Sequence, residues 1–271
     1  MRHHGVVDTG QVGRRLGPDQ DARRVAQVRA RLADLGSPER AVQEKRYLKS
    51  PMLHFGVRVP IVRKTVRTWW KEIERQAKSD GAAPTASEVL VTSDLLWDDD
   101  VYEMREASIE LLRFRVAMLG PDHLGVCESR IRESFTWALV DSISTDIVGR
   151  IVGRPGADEL CGPVLDRWSQ DENFWLRRAA MLCQLPVVRQ PTGDASRFLG
   201  YADQMLDEKE FFIRKAIGWV LREMSRKRPD EVFDWQLPRI TRTSGVTFRE
   251  AVKYLSAEQG EQLKALRPAP R

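Results

Sequence analysis

The sequence is poor in cysteine. Cys127, Cys161 and Cys183 are its only three, odd in number and widely spaced. That excludes a disulfide framework and a zinc motif of close cysteine pairs, and it suits a reducing interior. No apolar run approaches the roughly 18 residues that a membrane span needs. The start, "MRHHGVVDTGQVGRRLG", lacks the apolar centre of a signal peptide and reads as a disordered, partly basic leader. Its two adjacent histidines are too short a motif for a metal site. Strand-type alternation is nearly absent. Excess charge of one sign is also small: 44 Lys+Arg against 39 Asp+Glu gives +5. Such a balance permits a polyanionic partner without demanding one. The basic residues are mostly arginine, which favours bidentate phosphate contacts over simple solubility.

What the sequence does contain is helical periodicity. Long segments with apolar residues at helical spacing are separated by short Pro/Gly-rich breaks such as "GSPE" (36–39), "KSDGAAPTAS" (78–87) and "RQPTGDAS" (189–196). The chain is therefore expected to be all-α. Internal repeats sharpen this. "EMREASIELL" (103–112), "WLRRAAMLCQL" (175–185), "FIRKAIGWVL" (212–221) and "TFREAVKYL" (247–255) share an apolar residue followed by Arg, a charged residue and Ala. The arginines, Arg105, Arg177, Arg214 and Arg249, are 72, 37 and 35 residues apart. The first gap spans two repeats, and the missing register falls at Val140, inside "SFTWALVDSISTDIVG" (134–149). A period near 36 residues predicts a HEAT/ARM-like α-solenoid of antiparallel helix pairs with a concave face. The expected organisation is a disordered leader over 1–22, one repeat domain over 23–258 and a tail over 259–271.

The register turns residues into a surface. The slot after Arg holds Glu106, Asp141, Arg178, Lys215 and Glu250. Four residues earlier come Tyr102, Trp137, Phe174, Phe211 and Ser244; four later come Glu110, Thr145, Leu182, Trp219 and Tyr254. All three slots share a helix face. Aromatic rings interleaved with one carboxylate and several cations suit a nucleic acid. The competing reading makes the aromatics inter-repeat core and the charges intramolecular ion pairs.

"DENFWLRRAAMLCQL", "EKEFFIRKAIGWVLREMSRKRPDEVFDW", "TFREAVKYL" and "YLKSPMLHFGVRVPIVRK" (47–64) resemble the helices of the DNA alkylation repair (AlkD-like) DNA glycosylases, a HEAT-like repeat family. The resemblance covers roughly residues 45–255 and is weakest over 75–135. It implies an active site of Trp137 and Asp141 four residues apart, Arg178 in the next repeat and Trp219 in the one after. The spacings 178 − 137 and 219 − 178 are both 41. The family often reads Trp-Trp-Asp at the start of this helix. Here the residues are Thr136-Trp137-Ala138, a departure that bears on packing or lesion preference.

Residue chemistry agrees with that assignment. An N3- or N7-alkylated purine is cationic and leaves through an oxocarbenium-like transition state. The catalyst needs a carboxylate near the sugar rather than a strong acid, and Asp141 supplies one. Trp137 and Trp219 would bracket the cationic nucleotide, and Arg178 would hold a nearby phosphate. The resemblance also implies recognition without a deep base pocket, which leaves room for bulky adducts. Expected DNA contacts are Tyr47, Lys215 and the helical stripe Arg63, Arg67 and Lys71, with a solvated face as the alternative for the stripe. Trp69 and Trp70, adjacent on one helix, are not expected to face inward together. His54 and His123 read as structural, and "LWDDD" (96–100) as a helix-start acidic cluster.

The expectation is a monofunctional glycosylase acting on double-stranded DNA with alkylated bases and leaving an abasic site. It is expected to be monomeric, without metal or cofactor, and cytoplasmic at the nucleoid. Two other classes stay open: a non-catalytic HEAT-like binder of damaged or branched DNA, and a protein-interaction scaffold.

Overall fold

The structure, a computed structural model, describes residues 18–268. It is all-α, and no strand occurs among the described residues; Leu53 and Val101 form one isolated bridge. No described helix is long and apolar enough to cross a membrane. The contacts divide the chain into two compact units where the sequence suggested one domain. The first comprises the described residues up to Lys45 together with Met52–Phe114; the second comprises Arg46–Pro51 and the chain from Arg115 onward.

The first unit contains α1 (Pro18–Asp34), most of α2 (Pro38–Leu48), α3 (Val59–Ser79), α4 (Ala86–Trp97) and α5 (Tyr102–Phe114). Helix α4 opens with a capping box in which Thr85 and Glu88 satisfy each other's backbone N–H groups. Residues 1–17 of the expected leader lie outside the described residues, but 18–22 already belong to α1. Helix α3 lies against both α1 and α5, so two adjacent faces are covered. Trp69 and Trp70 are therefore both buried, contrary to expectation, and the Trp70 indole N–H donates to Glu74. The buried Glu103 carboxylate accepts the backbone N–H groups of Phe55, Gly56 and Val57 at 2.6–3.0 Å. Only glycine fits at 56: its φ is +79°, and a Cβ would lie 2.2 Å from the Ser37 carbonyl oxygen. Asp99 of the acidic cluster accepts the N–H of Val101 just before α5, as a helix-start carboxylate does.

The second unit contains α6 (Leu124–Arg132), α7 (Trp137–Ser142), α8 (Gly149–Val152), α9 (Asp158–Ser169), α10 (Phe174–Leu182), α11 (Leu185–Val188), α12 (Ser196–Gln204), α13 (Phe211–Ser225), α14 (Pro229–Gln236), α15 (Gly245–Ala251) and α16 (Ala257–Ala265). A π-helical turn over Ile143–Val148 joins α7 to α8. The expected tail is ordered instead: Ser256 and Gln259 box the start of α16, and Leu263 is buried against Ile240 and Phe248. Three of the four repeat arginines have one shared task. Arg105, Arg177 and Arg214 each donate to the carbonyl six residues upstream, at Asp99, Asp171 and Glu208. Each thereby fixes the loop that leads into its own helix.

Charged pairs also tie α6 to α9. Glu128 accepts both guanidinium arms of Arg167 and the indole N–H of Trp168, and it also bonds Arg132 on its own helix. The bonds from Arg167 outweigh burial and lower the Glu128 carboxyl to about 2, with Trp168 and Arg132 adding to the effect. A depressed carboxylate stabilises the fold fully above its unfolded value, near 4.5, and loses that stabilisation as pH falls toward 2. Thermal unfolding of the wild type should therefore shift downward across that window, and Glu128→Gln should flatten the slope there while lowering Tm at neutral pH.

Candidate active site

Helices α7, α10 and α13 each send side chains into one cleft of about 790 Å³ in the second unit, rimmed by Tyr47–Lys49 and Phe135. Asp141 lies on α7, one turn after Trp137. Arg178 on α10 meets it in bidentate fashion: Nε donates to Oδ1 at 2.7 Å and Nη2 to Oδ2 at 2.8 Å. Nη1 donates to the Phe212 carbonyl of α13 at 2.6 Å, and the guanidinium lies 5.8 Å from the Phe212 ring centroid. The Arg178 side chain is only 3% exposed, that of Asp141 14%. Burial raises the Asp141 carboxyl from its ordinary value, while the hydrogen bonds and charge of Arg178 oppose that rise. Neutralising Asp141 would leave a buried guanidinium without its counter-ion.

The cleft walls are aromatic. Of eight tryptophans, Trp69, Trp70, Trp97, Trp168 and Trp235 are buried; the three half-buried ones, Trp137, Trp175 and Trp219, all line the cleft. Trp137 stands edge-on to Tyr47, with ring centroids 5.7 Å apart. Trp175 leans on Phe212 at 4.9 Å. Four aromatic side chains are exposed among the described residues, and three of them, Tyr47 (71%), Phe135 (57%) and Phe211 (53%), line the same cleft. A core would not leave these rings open, so the distribution marks a recess for a flat partner.

Lys215 lies in the cleft one turn before Trp219, on α13. Its Nζ donates to Glu250 at 2.6 Å, and Glu250 also accepts from Arg222 and Lys253. Burial opposes ionisation of Glu250, yet the bonds from Lys215 and Lys253 hold its carboxyl down at about 2. Gly218 lets α13 approach this close to α15, since a Cβ there would lie 2.9 Å from the Cβ of Glu250.

The structure thus brings together Trp137, Asp141, Arg178, Lys215, Trp219 and Tyr47 of the expected residues. The ion pairs of the competing reading are formed as well, Asp141 with Arg178 and Lys215 with Glu250. Arg178 is engaged and buried, so it has no exposed face with which to hold a phosphate. Arg63, Arg67 and Lys71 lie on α3 in the first unit. Arg63 is clamped on Glu110 through Nε and Nη2, and Arg67 lies 5.3 Å from the ring centroid of Phe114. Lys71 is exposed. Sequence reasoning missed Trp175, Phe212, Phe135 and Lys49. Trp175 was within reach, three residues before Arg178 and so on the same face. Phe135 and Lys49 carry no periodic signal. They are the two non-glycine residues with positive φ among those described, +53° and +51°. Each left-handed conformation costs roughly 1–2 kcal/mol, and such strain gathers at functional sites.

A family model described as DNA alkylation repair enzyme matches residues 28–255. The chain belongs to the DNA alkylation repair enzyme family. A predicted DNA alkylation repair enzyme from Enterococcus faecalis has a similar fold, with a TM-score of 0.69 at 21% identity over 82% of this chain and 97% of that one. AlkD2 from Streptococcus mutans gives 0.51 at 20% identity over 69% and 90%, and smu.31 from Streptococcus mutans UA159 gives 0.51 at 18% over 73% and 99%. At these identities the likeness is one of fold. Among curated proteins the chain has no match. Family membership makes it a DNA-repair protein, with DNA as its partner.

Removing one member of the Asp141–Arg178 pair leaves the other charge buried. Arg178→Met should destabilise the DNA alkylation repair fold by about 3 kcal/mol in urea denaturation. The double variant Asp141→Asn/Arg178→Met should recover much of that loss.

Proposed function

We propose that the protein is a monofunctional DNA glycosylase. It hydrolyses the N-glycosidic bond of cationic N3- or N7-alkylated purines in duplex DNA, bulky adducts included. The observation that carries this reading is Asp141, a carboxylate held by a buried guanidinium in a cleft walled by the three half-buried tryptophans; the other carboxylate of the lining, Glu210, caps the start of α13 instead.

The chemistry follows from charge. The alkylated base is already cationic, so the C1′–N bond breaks with its electron pair going to the base, which leaves neutral. Positive charge moves to the sugar. A fixed carboxylate stabilises that charge, and a water then adds to C1′ with loss of a proton to Asp141 or to solvent. Arg178 acts through Asp141. Its fork fixes the carboxylate plane and opposes its protonation, so it is a positioning residue and not a phosphate contact. Trp137 and Trp219 favour a cationic over a neutral purine by cation–π contact, roughly 0.5–2 kcal/mol each. Two such contacts amount to about one to three powers of ten in selectivity. Tyr47 and Lys215 are the proposed DNA contacts at the cleft, and Arg67 and Lys71 those on α3. The Lys215 Nζ is engaged by Glu250, which disfavours its attack on a sugar aldehyde.

The deciding experiment measures free base released from duplex DNA containing N7-methylguanine or 3-methyladenine. Asp141→Asn should lower release by about 10²–10³-fold with DNA binding retained. Binding of damaged duplex without release of any alkylated base would favour a non-catalytic binder instead. Because burial raises the Asp141 carboxyl, release should already fall with acid at a pH above 3.8, the ordinary aspartate value.

A further inference from the structure

Where Val140 stands in place of the repeat arginine, the loop carbonyl six residues upstream belongs to Ser134. In three other repeats an arginine occupies that carbonyl from outside. Here the N–H of Thr136 occupies it from within, at 2.6 Å. This closes a three-residue turn around Phe135 with φ +53°, a γ-turn of the rare, strained hand. The strained turn is held in place. Thr136 is buried, and its hydroxyl donates to the carbonyl of Leu48 at 3.2 Å. The next residue, Lys49, is the second left-handed residue of the cleft rim. One hydrogen bond thus joins the two strained positions. Their common product is that Phe135 projects from the rim of the Asp141 cleft, more than half exposed.

A large apolar side chain held in a costly backbone conformation and more than half exposed at a cleft rim marks a surface with a use. We propose that Phe135 is a wedge: it enters the duplex beside the alkylated base pair and stacks on the neighbouring base, holding the lesion against Trp137. This rests on the reading that the cleft receives duplex DNA. Aromatic and apolar wedges of this kind unstack one base step, at a cost that is smaller where pairing is already weakened. The unstacking lets a cleft without a deep pocket reach C1′ on a lesion that stays in the helix.

The test uses the full chain and a duplex carrying N7-methylguanine with 2-aminopurine as its neighbour. Phe135→Gly removes the ring and relieves the left-handed strain, so Tm should rise by about 3 °C. The same variant should release base at least tenfold more slowly from the fully paired duplex. On the same lesion placed opposite an abasic-site analogue, where the lesion is already unpaired, it should stay within twofold of wild type. Phe135→Trp should keep wild-type rates on both. Wild-type binding should brighten the 2-aminopurine, and Phe135→Gly should abolish that signal. Equal loss on both substrates, no loss on either, or a lowered Tm for Phe135→Gly would overturn the wedge. Absence of base release by wild type from every duplex would sink the glycosylase reading alone. The fluorescence then decides by itself: brightening that depends on Phe135 supports the wedge, and its absence overturns it.

Discussion

The guanidinium of Arg178 has five N–H groups and only 3% exposure to solvent. It spends two on the carboxylate of Asp141 and one on the carbonyl of Phe212, and so joins α7, α10 and α13 through one side chain. These helices belong to three successive repeats, and the same three line the cleft. The direction of the carboxylate is therefore settled by the packing of the repeats, before any ligand arrives. Positions of Trp137, one turn before Asp141, and of Trp219, one turn after Lys215, follow from the same helices. A site assembled in this way has little freedom left to lose.

Much of this was legible because the interactions that build the repeat are short in sequence. Arg105, Arg177 and Arg214 reach only six residues back, so the pattern that repeats in sequence is the pattern that bonds. The cleft pairs join residues 37 and 35 apart, close to one repeat, so a register of the sequence already set Asp141 beside Arg178 and Lys215 beside Glu250. The two readings weighed for those slots were not exclusive: the charges are paired internally, and the aromatics are nonetheless open.

What escaped the sequence depends on two kinds of fact that residue type does not encode. The first is how many neighbours cover a helix. Trp69 and Trp70 are both inside because α3 has partners on two sides, and Leu263 is inside because Ile240 and Phe248 wait for it. Periodicity describes one apolar face and is silent on a second. The other is backbone conformation. Nothing in "SFTW" announces that Phe135 is left-handed, since the turn is held by the Thr136 N–H on the Ser134 carbonyl and the hydroxyl of Thr136 on Leu48. The threonine at position 136 thus has a local structural use: its hydroxyl reaches the Leu48 carbonyl.

The buried pair also bears on how such a protein can change over generations. A substitution that removed the Asp141 charge would leave Arg178 sealed without a counter-ion, so it would weaken the fold as well as the cleft. A descendant that kept the surface but gave up the carboxylate would have to replace both residues, and each first step lies downhill in stability. Selection on folding alone therefore guards the carboxylate, whether or not damage is present to be repaired.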